Sequence, residues 1–200
     1  FKHPVPFLRS REFLWQEGHT AFATKEEAVK ETYKILDFYE KVFTELAAVP
    51  VLKGMKSKNE TFAGAEFTLS LEAFLPNGKA VQGCTSHHLG QNFAKAFNIT
   101  FQDDKQRTQH VWQNSWGITT RLLGILIMMH SDDKGLVLPP RLALTQVVIV
   151  PILFDDSRLK VLKEAQKVKQ LLESKGISVH LDDRDGYSPG WKFNEWEMKG

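Results

Sequence analysis

Cysteine is nearly absent from this chain: Cys84 is the single one in 200 residues, so no internal disulfide can form. Packing and hydrogen bonds must hold the fold, as is usual where thiols stay reduced, and a cytoplasmic location is the expectation. No apolar run reaches the roughly 20 residues of a membrane-spanning helix, and no basic stretch followed by an apolar one opens the chain as a secretory signal would. No membrane partner is therefore expected. Charge of one dominant sign is lacking too, since 26 Lys and Arg face 24 Asp and Glu for a formal net charge of +2. A polyanion would have to be recognised by local geometry. There is no internal repeat and no low-complexity segment. What is present, 42% hydrophobic and 25% charged residues, is enough for one large domain or two small ones. The chain opens on Phe1 without a capping or turn signal, which predicts a piece of a longer protein.

Period-two alternation over Arg11 to Glu17 predicts a strand, with Arg11, Phe13, Trp15 and Glu17 on one face. "TKEE" at Thr24 to Glu27 is a capping-box pattern. It is followed by Ala28, Leu36, Tyr39, Phe43 and Leu46 at helical spacing, which predicts a long amphipathic helix stopped by Pro50. Ala65 to Leu75 alternates again, "PNG" at Pro76 to Gly78 predicts a hairpin turn, and Lys79 to Cys84 predicts the returning strand. A short helix is expected over Leu89 to Phe97, strands over Ile99 to Phe101 and Gln109 to Ser115, and a buried helix over Arg121 to His130.

The character changes at "GLVLPPRLA", Gly135 to Ala143, which predicts a rigid connection and a domain boundary, giving domains 1–143 and 144–200. Beyond it, Gln146 to Phe154 is a β-branched run. Ser157 to Lys175 is an amphipathic helix with Leu159, Leu162, Ala165, Val168 and Leu172 on its face, capped by Gly176, and Ile177 to Leu181 is another strand. A β-α-β unit with parallel strands follows. Its first strand leads into "FDDSR" rather than a glycine-rich turn, so a dinucleotide fingerprint is missing. The expected fold class is α+β: a mostly antiparallel sheet domain followed by the start of an α/β domain.

Three groups of residues could carry chemistry. The Arg9, Arg11, Phe13, Trp15, Glu17 series offers guanidiniums for phosphate oxygens, an aromatic face for a purine and a carboxylate for an ammonium. The same pattern also describes a strand with a salt bridge and two core aromatics. The stretch "QGCTSHHLGQNF", Gln82 to Phe93, combines a thiol, two histidines and two hydroxyls. Zinc would need Cys84, His87 and His88 to converge at about 2.0–2.3 Å on one ion. Adjacent residues of an extended segment point to opposite sides, which disfavours joint ligation by His87 and His88 and leaves a polar substrate pocket or a turn whose hydroxyls cap a helix near Leu89. In "SWGITTR", Ser115 to Arg121, a glycine admits backbone to a ligand, and an arginine opens an apolar helix where its interaction with the helix dipole is unfavourable. An anion there would offset the cost, although an exposed helix-start arginine fits as well.

The segments "FKHPVPFLRSREFLWQEGHTAF", "KGMKSKNETFAGAEFT", "GCTSHHLGQNFAKAF", "QNSWGITTRLLG", "DDKGLVLPPRLA" and "DDRDGYSPGWKFNEWEMKG" together resemble the prolyl-tRNA synthetase family in its eukaryotic and archaeal form, from Phe1 to Gly200. The resemblance implies a class II catalytic domain, an antiparallel sheet flanked by helices, and the start of an anticodon-binding domain. It implies activation of L-proline with ATP and Mg²⁺ and transfer to tRNA(Pro), without zinc in this chain. Arg9 and Phe13, in an R-x-x-x-F pattern, would contact the ATP tail and adenine, and Arg121 would be the motif 3 arginine. Gln82, Thr85 and Thr119 match nucleotide-contacting positions; Trp15, Phe62 and His87 match the wall of the proline and tRNA 3′-end pocket, with Glu17 nearby. Strand alternation alone would separate Gln82 from Thr85 and His87, and a bulge at Gly83 would reunite them. The family's motif 1, T-x-E loop and α-phosphate arginine would precede Phe1, and the rest of the anticodon-binding domain would follow Gly200. The isolated chain is therefore expected to be inactive and the intact enzyme to be a homodimer. Febrifugine-type inhibitors would share the pocket. The rival readings are a sibling class II enzyme, such as the threonyl synthetase with its zinc, and a non-catalytic synthetase-like protein that binds tRNA or another partner.

Overall fold

The computed structural model describes residues 3–200, so expectations that begin at Phe1 or Lys2 lie partly outside the described residues. The chain forms two compact units, one ending at Met129 and one running from His130 to Gly200. The first carries a five-stranded antiparallel sheet of β1 (Trp15–Phe22), β2 (Val51–Met55), β3 (Phe67–Phe74), β4 (Ala80–Gly90) and β7 (Trp112–Thr119), in the order β1-β7-β4-β3-β2. A separate ribbon pairs β5 (Thr100–Gln102) with β6 (Thr108–His110). Helices α1 (Lys25–Lys41), α2 (Asn92–Ala96) and α3 (Arg121–His130) complete it.

α1 begins where its capping pattern puts it. Thr24 accepts the Glu27 backbone N–H at 3.3 Å, and its hydroxyl donates to the Glu27 carboxylate at 2.8 Å. Ala28, Leu36, Tyr39 and Phe43 are buried as the period demands, but Leu46 is 42% exposed. The cause is a π-helical turn over Val42–Leu46, whose wider winding rotates the last residues off the buried stripe. The hairpin closes at Pro76 to Gly78: the Gly78 N–H donates to the Leu75 carbonyl at 2.9 Å, with Gly78 at φ +78°. α3 runs over the expected residues. It is buried along Gly124, Ile125 and Leu126, while Leu123 and Ile127 reach solvent.

Several expectations are corrected. The first strand starts at Trp15, not Arg11, because its partner β7 ends at Thr119, paired with Trp15; the chain before it bends, and Arg9 instead bridges Val5 across a tight turn. Strand β4 continues past Cys84 to Gly90, and α2 spans only Asn92–Ala96. Thr85 and Ser86 thus cap no helix. The hydroxyl-rich stretch has a ladder partner on each side, with Thr85 between Ser70 and Gly117 and His87 between Thr68 and Ser115. Tertiary pairing there overrides local turn chemistry. The single strand expected over Gln109 to Ser115 divides at buried Val111 into β6 and β7, and β2 had no distinguishing signal.

α1 packs across β4 and β7, where most of the buried polar groups are paired, His88 Nε2 being an exception. Asn114 donates to the Ala28 carbonyl (2.7 Å) and the Glu31 carboxylate (3.0 Å), so its Oδ1 faces His88 Nδ1 at 2.9 Å. Ser86 donates to the Thr32 carbonyl at 2.8 Å. In the β3–β4 ladder Leu71 pairs with Cys84 while Glu72 pairs with Gln82, which makes Gly83 an extra residue, a bulge.

In the second unit, β8 (Val147–Ile149) and β9 (Val179–Leu181) are parallel and joined through α4 (Arg158–Glu173). β8 is shorter than its apolar run because its partner offers only three residues. Gly176, at φ +77°, ends α4 as expected. Ala165 is buried, but Leu159 is 85% exposed within this unit, a departure from the predicted face. α5 (Pro189–Glu197) was not anticipated, although Ser188 accepts the Trp191 N–H at 3.2 Å and Pro189 follows it, an N-terminal signature. The hub is Asp182, whose buried carboxylate accepts from Arg184 Nε (2.8 Å), Arg184 Nη2 (2.7 Å) and Trp196 Nε1 (2.9 Å). These bonds, Arg184 foremost, outweigh burial and hold the carboxyl well below the usual range.

Two outcomes follow. A Cβ at Gly83 would fall 2.4 Å from the Phe43 ring, so Gly83→Ala should cost about 2 kcal/mol in denaturant unfolding, and Phe43→Leu in the same chain should return part of it. Additive losses would contradict the contact. Because the folded pKa of Asp182 is depressed, its contribution is present above the ordinary carboxylate value of 3.8 and is lost as pH falls toward the depressed value. Asp182→Asn should therefore destabilise the second unit near neutrality, by about 2 kcal/mol, the scale of lost hydrogen bonds to a charged group. The gap from wild type should narrow in acid, followed by the fluorescence of Trp191 and Trp196.

Candidate active site

The sheet face away from α1 holds a cavity of about 270 Å³. Its floor is a cross-strand row. Glu17 on β1 pairs with Gly117 on β7, which pairs with Thr85 on β4, and the next rows bring in Trp15 with Thr119 and His87 with Ser115. Gly117 lacks a side chain, so the floor stays open between Glu17 and Thr85; the Trp15 ring approaches to 3.3 Å of where its Cβ would be. The Gly83 bulge returns Gln82 to this face beside Thr85 and His87. His88 points the other way and is fully buried.

The walls come from less regular chain. Arg9 and Phe13 line the cavity from the segment before β1, Phe62 from the connection between β2 and β3, and Arg121 from the first residue of α3. The residues assigned by family resemblance, Arg9, Phe13, Trp15, Glu17, Phe62, Gln82, Thr85, His87, Thr119 and Arg121, all line this one cavity. Arg11, placed with them by alternation, is not in its lining, because the chain there is bent rather than extended. Phe13, Trp15 and Phe62 are each about half exposed, so an aromatic surface faces the opening. Phe13 meets Trp15 edge to face at 6.2 Å, and Phe62 lies 4.8 Å from the His87 ring.

The polar groups are tied in place. Arg121 Nε donates to the Leu8 carbonyl at 3.0 Å and its Nη1 to the Gln82 carbonyl at 3.4 Å, linking the first loop, β4 and α3 through one cation. Its backbone N–H donates to Thr119 Oγ1 at 3.1 Å. Lys56 donates to Gln82 Oε1. His87 sits between two hydroxyls, with Thr68 Oγ1 2.9 Å from Nδ1 and Thr85 Oγ1 3.0 Å from Nε2. Burial, with Lys56 second, lowers its pKa to about 4, so the ring is neutral at physiological pH. Burial likewise pushes the Cys84 thiol far up, away from thiolate. Among the described residues no group of three or more His, Cys, Asp or Glu is placed to hold a metal ion.

Sequence reasoning missed Leu8, Lys56 and Thr68. Leu8 acts through its backbone carbonyl, Thr68 from the neighbouring β3 and Lys56 from just past the end of β2, and no spacing in the sequence marks such contacts. The resulting site offers two arginines in its lining, fixed polar groups on the floor and half-exposed aromatic rings. That arrangement suits an anion joined to flat or small apolar rings.

Comparison with known proteins agrees with this architecture. Residues 3–130 match the tRNA synthetase class II core domain (G, H, P, S and T), and residues 146–200 match an anticodon binding domain. A cytoplasmic proline–tRNA ligase of Arabidopsis thaliana is 56% identical over 202 residues, covering 100% of this chain and 38% of its own length. A proline–tRNA ligase of Halobacterium salinarum is 52% identical, covering 98% of this chain and 39% of its own length. The bifunctional glutamate/proline–tRNA ligase of Drosophila melanogaster is 54% identical, covering 100% and 12%. The chain thus spans about two fifths of the length of the single-function relatives. With its core match extending over residues 3–130 and its antiparallel sheet carrying the cavity, this chain belongs to the class II tRNA synthetase core family.

Proposed function

We propose that this chain contributes the ATP and proline sites of a proline–tRNA ligase. The observation that carries the reading is the meeting of Arg9, Arg121 and the open rings of Phe13, Trp15 and Phe62 on one cavity. The adenine of ATP, which arrives as its Mg²⁺ complex, lies against Phe13, with Gln82, Thr85 and Thr119 along the nucleotide. The proline ring occupies the space bounded by Trp15, Phe62 and His87, with Glu17 at its polar end. Domains 1–143 and 144–200 then divide the work between catalysis and recognition of the anticodon region of tRNA(Pro), in the cytoplasm and within a homodimer.

The reaction has two steps. The proline carboxylate attacks the α-phosphorus of ATP in line and pyrophosphate leaves, giving prolyl-adenylate; the terminal ribose hydroxyl of tRNA then attacks the acyl carbon and AMP leaves. No covalent enzyme intermediate is needed. Arg9 and Arg121 act by placing positive charge where phosphate charge develops, and Arg121 is already held by the Leu8 and Gln82 carbonyls. A neutral His87 packs against an apolar ring without adding a competing charge. Febrifugine-type inhibitors would occupy the proline side of the same cavity.

The test is amino-acid-dependent ATP–pyrophosphate exchange by the full-length protein. Proline should support exchange, and Arg121→Ala should reduce it by on the order of 10²-fold. Exchange with threonine instead would point to the sibling enzyme, no exchange to a non-catalytic protein, and an undiminished Arg121→Ala rate would remove the assigned role.

A further inference from the structure

Thr68, on β3, does not line the cavity, yet it is 1% exposed and touches a residue that does. Its Oγ1 accepts the Phe62 backbone N–H at 3.1 Å and lies 2.9 Å from His87 Nδ1. The other ring nitrogen of His87 lies 3.0 Å from Thr85 Oγ1. A neutral imidazole has one N–H and one acceptor nitrogen, and a hydroxyl has one hydrogen to give. These rules allow two polarities for the chain Thr68–His87–Thr85.

In the first, the Thr68 hydroxyl donates to Nδ1, the ring proton sits on Nε2 and is donated to Thr85, and the Thr85 hydrogen remains for a ligand. In the second, Nδ1–H points at Thr68 and the Thr85 hydrogen is consumed by Nε2. Thr68 then accepts from both Phe62 and His87, while its own hydrogen, in a fully buried place, has no acceptor among its described contacts. A buried donor left without an acceptor is costly, so the first polarity prevails. We propose that Thr68 is a positioning residue that fixes His87 as the Nε2–H tautomer and thereby turns the Thr85 hydroxyl hydrogen into the cavity.

Burial and Lys56 favour the neutral ring that this relay requires. Gln82 is set in the same sense: an ammonium can only donate, so Lys56 claims Gln82 Oε1 and leaves the amide nitrogen as the group's donor for a ligand. The β4 wall thus presents donors, which suits an oxygen gaining negative charge, as on the α-phosphate or the acyl phosphate. That ligand assignment rests on the proposed proline-activating function; the tautomer does not.

The experiment combines nitrogen-15 spectroscopy of selectively labelled histidine in the full-length protein with exchange kinetics. Wild-type His87 should be a single Nε2–H tautomer, and Thr68→Val should give both tautomers. In pyrophosphate exchange, Thr68→Val should lower kcat/KM about tenfold, and Thr68→Ser should restore it to within about twofold. Added to Thr85→Val, Thr68→Val should cause no further loss, as expected of two residues acting through one hydrogen bond. An Nδ1–H tautomer in the wild type, a serine variant as impaired as valine, or additive losses would overturn the proposal. If Thr68→Val does not fold, the wild-type tautomer and the serine variant still decide. If the wild type fails to exchange with proline, the proposed function falls, while the spectra still judge the relay.

Discussion

The pairing of β4 on both sides, with one extra residue at Gly83, is the constraint on which the cavity rests. An unbroken strand would put Gln82 on the face opposite Thr85 and His87. The bulge moves it across, and only glycine fits there because the Phe43 ring occupies the space a side chain would need. Phe43 in turn comes from the π-helical turn that continues α1. The helix on one face of the sheet thereby sets the register of the cavity-lining groups on the other.

The same division of faces explains how a site rich in polar groups can be rigid. Behind it, His88, Asn114, Ser86 and the α1 carbonyls form a buried and largely paired network. In front, Arg121 is fixed by two backbone carbonyls and His87 by two hydroxyls. Groups held before a ligand arrives need not reorganise when charge develops, which is where electrostatic catalysis gains most. The aromatic rings at the opening keep exposed faces and supply stacking surface rather than core.

Local chemistry made much of this legible. The Thr24 cap, the Pro76 to Gly78 turn, α3 and the β-α-β unit follow from capping, turn and periodicity rules that act over a few residues. Where neighbours distant in sequence decide, those rules failed. The hydroxyls of β4 read as a turn until two flanking strands pair with them, and Arg11 read as a site residue until β1 ended at Trp15 for lack of a partner. Residues of the cavity came chiefly from family resemblance, since no spacing relates Phe62 to His87 or Arg9 to Arg121. Thr68 and Lys56 were invisible because they touch the lining and not the cavity.

On the function proposed above, one cavity organised by β4 takes the adenylate, with its phosphate at Arg9 and Arg121 and its proline ring beside Trp15, Phe62 and His87. The most direct measurement is a crystal structure of the full-length protein with a non-hydrolysable prolyl-adenylate analogue. Adenine should lie against Phe13, the phosphate isostere between Arg9 and Arg121, and the pyrrolidine ring within Trp15, Phe62 and His87. An analogue bound elsewhere, or bound here with its two ends exchanged, would contradict it.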